Sequence, residues 1–573
     1  MFYKIKSRES YRNGIGLFLY CFMICFAFFF AIYFFSGIHY AVNDDIAMRD
    51  IASGIRSGTP DGHLVYIKYP LGWLISRFYI YISGNVDWYG LFLLNSLLLS
   101  ASIVLYCIYC NVKNRHIRIC LVISNFLVLM RHVFFFQWTI CAAFCGIAGV
   151  MFYYSISCES RSYRIFQKIV TIFLLLLCYM IRDKVFFIVI VFSVPMFVHK
   201  EWIGRKKIGG CIKGCMIFFA AVFVCMCSVE KIHTLAYQEI EWQKYIEFNK
   251  MRSLLYDYYA IPDYSENRIF YEQSSISENT YCDLKRYSYL YNPSIDGEML
   301  KKIVDYNKCI EEDQIKGRGI NTLLEMRDIF IAPQYSLINI GEILLFISFI
   351  FLVIKHKRCD LAVLGICEIT IWISILYYLV FKGRYPSHII YTMGILFLLQ
   401  FQSILLQLLT EYKIERLRLV VALCGMGVLI FVFNNLILDS REINAKNYSY
   451  VQVKNYIGNH ASNIYILPST TFAKYTDCFE VLKRKSQGKI LTTGGWVCRS
   501  PLIQEQLNRA NIKEIPNDFI NNDNVYILEW SEENLEYVTA SLSEICEKEV
   551  ECKISDIIEV VDGKMNVYKL YFE

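Results

Sequence analysis

Charge is the scarcest commodity in this chain. Asp, Glu, Lys and Arg make up 19% of 573 residues, against 55% hydrophobic and 16% aromatic, with a mean hydropathy of +0.36. A soluble protein of this length carries more charge and fewer apolar runs. The net charge of +6 sits in short clusters between apolar runs, which excludes an extended basic-aromatic surface and hence nucleic acid as a partner. No CxxC is matched by a second one, so the 22 cysteines do not spell a zinc site. Most lie inside apolar runs and act as small hydrophobes. "TTGGW" is not followed by Gly-Lys-Ser/Thr, which excludes a phosphate loop. No internal repeat is present, and the first apolar run, Ile15 to Ile38, lacks a small-residue cleavage site, so it reads as a retained anchor.

What is there is a series of apolar runs long enough to cross a bilayer. They fall at about 15–37, 89–110, 117–131, 134–155, 165–181, 185–199, 210–229, 336–354, 360–381, 386–409 and 417–437, about eleven spans. Basic clusters fix orientation. Lys4, Lys6, Arg8 and Arg12 precede the first span, which places the N-terminus in the cytoplasm. Lys113/Arg115/Arg118, Arg161/Arg164/Lys168, Lys200/Arg205/Lys206/Lys207, Lys355/Lys357/Arg358 and Lys413/Arg416/Arg418 then share that side, on one condition: Leu64–Ile82 does not cross. With Lys68, Arg77 and several tyrosines, it is expected to lie in the outer leaflet. Three polar regions face outward in this scheme: 38–63, the loop 231–335, and the tail 438–573. The tail alternates short apolar runs with charged helical segments, the pattern of a small α/β domain. Cys546 and Cys552 within it suit either a disulfide outside the cytoplasm or two free thiols. The fold class expected is therefore mainly α: a polytopic helix bundle at 1–437, with outer loops 38–88 and 231–335 and a surface helix, followed by an extracytoplasmic α/β domain at 438–573.

The chemistry-bearing residues gather at the outer ends of the spans. Asp44 and Asp45 follow the first span, and Arg49, Asp50, Arg56, Asp61 and His63 come before the surface helix. A solvated acidic helix end is the bland reading. Ionisable groups held between a span and a surface helix are also functional candidates, and adjacent carboxylates raise one another's proton affinity, which suits a general base. Cations on the outer side oppose the positive-inside trend: Arg131 with His132, Arg182 and Lys184 around Asp183, and Arg384 with His388 in "FKGRYPSHII". Snorkelling or internal ion pairing explains such groups; so does a bound phosphate, for which arginine offers a planar fork. His63 in "TPDGHL" reads as a turn histidine or a phosphate contact, and Asp61 as a turn residue or a metal ligand.

One span, a short loop with paired acids, a Pro-Leu-bearing surface helix ("YIKYPLGWLISRFY") and then the second span resemble the GT-C superfamily of membrane glycosyltransferases. Protein O-mannosyltransferases and lipid A aminoarabinose transferases share this layout. Many members read His-Pro-Pro-Leu at the surface helix, where "KYPLGW" has neither the His nor the first Pro. The chain is also similar to Gram-positive polytopic membrane proteins carrying "NDD…SGTPDGHL" and a late "GGW…SP", here Asn43–Leu64 and Gly494–Pro501. The resemblance implies a polyprenyl-phosphate sugar donor and a cell-surface glycan, lipid or protein acceptor. It implies an outer-loop acid, Asp44 or Asp45, as base, and cations, Arg384 first and then Lys184 and Arg182, on the donor phosphate. His63, Arg131 and His388 complete the expected substrate contacts. A divalent metal is compatible with this chemistry but not implied by any spacing. Rival readings are a surface-polysaccharide polymerase, a transporter or lipid flippase, and an anchored binding protein; the paired acids, the lack of a repeat and the number of spans weigh against each in turn.

Overall fold

The structure, a computed structural model, describes residues 8–55, 57–156, 160–205, 207–314, 318–411, 451–468, 490–560 and 563–573. Among these, ten helices are long and apolar enough to span a membrane, and they coincide with the first ten expected runs. The eleventh run, 417–437, and the boundary at 437/438 lie outside the described residues. The chain is a multi-pass membrane protein.

The first membrane helix, α1 (Arg8–Ser36), is followed by a two-residue strand β1 (His39–Tyr40), α2 (Asn43–Ser53), α3 (Tyr69–Tyr81) and α4 (Trp88–Asn111). At 13 residues, α3 is about 20 Å long, too short for a hydrocarbon core of about 30 Å. Pro70 lies in its first turn and Lys68 precedes it as N-cap. Lys68 is tied to the bundle by ion pairs with Glu230 at 2.8 Å and Asp183 at 3.3 Å. Trp73, Leu74, Ile80 and Tyr81 stay exposed, as an interfacial helix requires. The order span, acid-bearing segment, surface helix, span is the expected one.

Within the segment 38–63, Asp45 to Ser53 are all buried, which sets aside the reading of a solvated acidic helix end. The cause is a pair of packing partners. α2 contacts α3 and α4, and β1 pairs in parallel with β2 (Phe135–Phe136), which links α5 (Arg115–Phe134) to α6 (Trp138–Ser155). Arg49, 1% exposed, is paired in place with Asp50 at 2.8 Å, the pairing that a buried charge needs.

The bundle is organised around α6, whose spanning window is entirely buried, with α4 beside it and α17 (Ser387–Glu411) across from it. Gly146 and Gly149 let α6 approach its neighbours: a Cβ at either would press on Val189, Cys178 or Leu174. Around them stand α7 (Arg161–Ile181), α8 (Asp183–Arg205), α9 (Ile208–Ala236), α15 (Ser336–His356) and α16 (Cys359–Phe381). Between α9 and α15 the long loop folds into helices α10 (Ile240–Asp257), α11 (Arg268–Gln273), α12 (Glu278–Lys285), α13 (Gly297–Gln314) and α14 (Arg318–Ile331).

The tail forms the expected α/β unit. A helix over 451–459 (α18) and the later helices α19 (Pro501–Arg509), α20 (Asn517–Asn521) and α21 (Glu532–Cys546) accompany a five-stranded sheet. Its order is β4 (Ile490–Thr492), β3 (Ile464–Leu467), β5 (Val525–Glu529), β7 (Gly563–Phe572), β6 (Val550–Val560), parallel among the first three and antiparallel in the last two pairings. β3, flanked by β4 and β5, is buried at every residue, as a strand covered on both faces should be. Cys546 and Cys552 are both free thiols.

Candidate functional site

Asp44 and Asp45 occupy the first turn of α2, where the unpaired N–H groups of a helix favour carboxylates. One residue of offset sends the two side chains into different surroundings. Asp45, fully buried, accepts from the Tyr89 hydroxyl at 2.8 Å and the Trp138 backbone N–H at 3.4 Å. Its Oδ2 is buried without a partner. Burial drives its carboxyl well above the ordinary range, against the Tyr89 bond, and the neighbouring Asp44 charge pushes the same way. Asp45 therefore holds a structural position, and burial favours its uncharged form.

Asp44 is partly exposed and belongs to a cluster of charges. Its Oδ1 accepts from the indole Nε1 of Trp496 at 2.9 Å. Burial raises its carboxyl; the Trp496 bond and the positive charges of Arg252 and Arg182 oppose this, and the negative charge of Asp257 adds to it. A carboxyl so placed binds a proton more readily than an ordinary aspartate, the property a general base needs.

Four cations define the rest of the site. Arg182, the residue between α7 and α8, lies over the Trp138 ring at 4.1 Å and the Tyr66 ring at 5.6 Å, a stacking that holds a guanidinium in place while leaving its donors available. Arg252, on α10, bonds Asn249 at 2.9 Å and Tyr66 at 3.4 Å. Arg384, before α17, pairs with Asp257 at 2.9 Å and sits over the Tyr258 ring at 5.2 Å. Lys184 is exposed at the start of α8 and lies in the fields of Arg182, Arg384 and Asp257. His388, in the first turn of α17, faces Arg182, Arg384 and Asp257. Against these cations stand three carboxylates, Asp44, Asp257 and Asp183, the last shared with Lys68 at 3.3 Å. The surplus of positive charge, with three guanidiniums among it, is the composition of an anion site.

Of the expected residues, the structure thus brings Asp44, Arg182, Lys184, Arg384 and His388 together. His63 is elsewhere: Nδ1 contacts Asp61 at 2.7 Å, Nε2 contacts the Ala236 carbonyl at 3.1 Å, and the ring stacks on Trp242 at 4.5 Å. Both ring nitrogens are engaged, so His63 and Asp61 pin the 57–68 turn to α9 and α10. Arg131 lies over Tyr391 at 5.1 Å, one turn along α17 from His388, at the margin of the cluster. Three residues escape sequence reasoning. Arg252 and Asp257 belong to a helix in the long loop with no motif around them. Trp496 arrives from the C-terminal domain, and its only signal is the "GGW" string.

Among the described residues, the acids close enough together to share a metal ion are the exposed Glu549, Glu551 and Glu573, in the C-terminal sheet. No family model and no curated protein matches the chain. Among solved structures, it is similar to the crystal structure of ArnT from Cupriavidus metallidurans in the apo state, at 8% identity, with 98% of each chain covered and a TM-score of 0.41. At that identity and score, the likeness transfers neither a residue role nor an activity.

Proposed function

We propose that the chain is a membrane glycosyltransferase of GT-C type that moves a sugar from a polyprenyl-phosphate donor to a hydroxyl of a cell-surface glycan, lipid or protein, with inversion. The observation that carries this reading is the opposition of the Asp44 carboxylate to Arg182 and Arg252, with Lys184 and Arg384 beside Arg182. The reaction needs that pairing. The acceptor O–H bond breaks and its proton passes to Asp44. The acceptor oxygen forms a bond to the anomeric carbon, and the bond from that carbon to the phosphate oxygen breaks, leaving its electron pair on the phosphate. Positioned proton transfer contributes about 10²–10⁴-fold. Cations already aimed at the phosphate stabilise the charge it gains without reorganising.

The position of the site supports a lipid donor. Arg182, Lys184, Arg384 and His388 all lie at one end of spanning helices, the depth at which a lipid-linked phosphate sits. The basic clusters at the opposite ends support a cytoplasmic N-terminus and a site and C-terminal domain outside. Asp44→Asn should abolish transfer from a polyprenyl-phosphate sugar while expression is intact. Near-normal transfer by this variant would move the base elsewhere and remove the reading.

A further inference from the structure

Among the described residues, the C-terminal domain hydrogen-bonds Asp44 through the Trp496 indole, and the segment that carries it is built for close approach. Trp496, 7% exposed, follows two glycines. Gly495 has φ of 85°, a left-handed conformation that glycine adopts without strain. A Cβ on Gly494 would collide with the Tyr287 carbonyl oxygen. The segment is locked to the long loop rather than to the membrane helices. Leu290 N–H donates to the Thr493 carbonyl at 2.8 Å, and the Tyr245 hydroxyl donates to the Trp496 carbonyl at 2.8 Å. Arg499 donates to the carbonyls of Tyr289 and Asn292 at 2.9 and 2.6 Å. None of these bonds uses the indole, whose N–H goes to Asp44 Oδ1 at 2.9 Å.

An aspartate facing arginines ordinarily closes an ion pair, and an ion-paired carboxylate is a poor base. Among the described residues, Asp44 makes no such pair, and its Oδ2 takes no hydrogen bond. A neutral donor holds one oxygen without neutralising the charge. We propose that Trp496 is a positioning residue for the base: resting on the reading of Asp44 above, its indole N–H fixes Oδ1 so that Oδ2 alone receives the acceptor proton. The C-terminal domain is then a working part of the active site, delivering through the long loop a contact that the bundle cannot make by itself.

Two measurements on the full chain in detergent test this. The first needs no substrate. The eight tryptophans give a small set of ¹⁵N-indole signals, and loss of one in Trp496→Phe assigns it. That signal should shift in Asp44→Ala and titrate with pH in the unaltered protein. A signal blind to both overturns the inference. The second measures hexose release from short-chain isoprenyl-phosphoryl hexoses. Trp496→Phe keeps the ring and all the backbone docking bonds, and should lower kcat about ten- to hundredfold, the scale of one hydrogen bond to a charged group, with KM nearly unchanged. The acid limb of its pH profile should move upward, because a bond favouring the charged carboxylate is gone. Trp496→His, which retains a ring N–H, should recover part of the loss. An unchanged kcat and pH profile in Trp496→Phe, beside an inactive Asp44→Asn, overturns this inference alone. An active Asp44→Asn overturns the base itself.

Discussion

Replacing Asp257 with Asn should tighten the binding of an isoprenyl phosphate. Asp257 Oδ2 holds Arg384 at 2.9 Å, with the two side chains 29% and 32% exposed, and also accepts from Ser253 at 2.7 Å. Its charge reaches Asp44, Lys184 and His388 as well. An incoming phosphate must therefore compete for Arg384 and also face a nearby anion. For charges about 7 Å apart at an effective dielectric of 20, the repulsion is about 2 kcal/mol. The ion pair itself, partly exposed, is worth about 0–1 kcal/mol, so its loss costs the fold little. Asn keeps an acceptor oxygen for Ser253 and Arg384, leaving the guanidinium in place. Removing about 2 kcal/mol of repulsion lowers Kd about thirtyfold, and the gain should shrink with salt because the site is open to screening. Farnesyl phosphate titrated into the purified chain, read by the fluorescence of Trp138 and Trp496 at low and high salt, measures this. Arg384→Ala should move the other way by about ten- to a hundredfold, the scale of one charge-assisted contact. The double variant should recover part of that loss. Unchanged or weaker binding by Asp257→Asn would refute the argument that these cations await a phosphate.

Asp45→Asn should leave transfer and thermal stability within about 1 kcal/mol of the parent, because burial already favours the uncharged form of Asp45; side-by-side assays with Asp44→Asn check the division of roles. Asp87, the N-cap of α4, accepts from Gly90 N–H at 2.9 Å and Tyr40 at 2.6 Å, and burial raises its carboxyl from 3.8 to about 6. The raised group binds its proton more tightly in the folded chain, so its contribution is full below 3.8 and is lost as pH rises through about 6, by about 3 kcal/mol in all. Asp87→Asn should flatten that part of the stability profile, measured as the midpoint of thermal unfolding between pH 4 and 8. Gly494→Ala should displace the 493–499 segment from Tyr287 and lower transfer as much as Trp496→Phe, with the membrane domain's own unfolding midpoint unchanged.

How much of this was legible depended on the range of the interaction. The ten spans follow from local hydropathy, and the surface helix follows from the bookkeeping of basic clusters and from Lys68, Arg77 and the tyrosines, although it begins at Tyr69 rather than Leu64. The acid pair announced itself by sitting beside a span. Arg182, Lys184, Arg384 and His388 stood out because they oppose the positive-inside trend, a property each carries in its own neighbourhood. The burial of α2 was not legible: the charges of 43–50 look solvated until Asp50 is seen to pair with Arg49 and β2 to cover the strand before it. Nor could the sequence separate Asp44 from Asp45. Their difference is made by Tyr89 and Trp138 on one side and Trp496 on the other, hundreds of residues away in the last case. Arg252 and Asp257 needed the folded long loop. His63 was singled out by residue type alone, and its ring proved to be occupied with tertiary anchoring.

The central claim is that a lipid-linked phosphate binds across from Asp44, and a structure of the chain in lipid nanodiscs with bound undecaprenyl phosphate tests it most directly. The phosphate should lie within hydrogen-bonding distance of Arg182 and Arg384, with Asp44 facing the position of the sugar and the isoprenyl chain leaving between spanning helices. A phosphate bound at another place, with Arg384 still closed on Asp257, would contradict it.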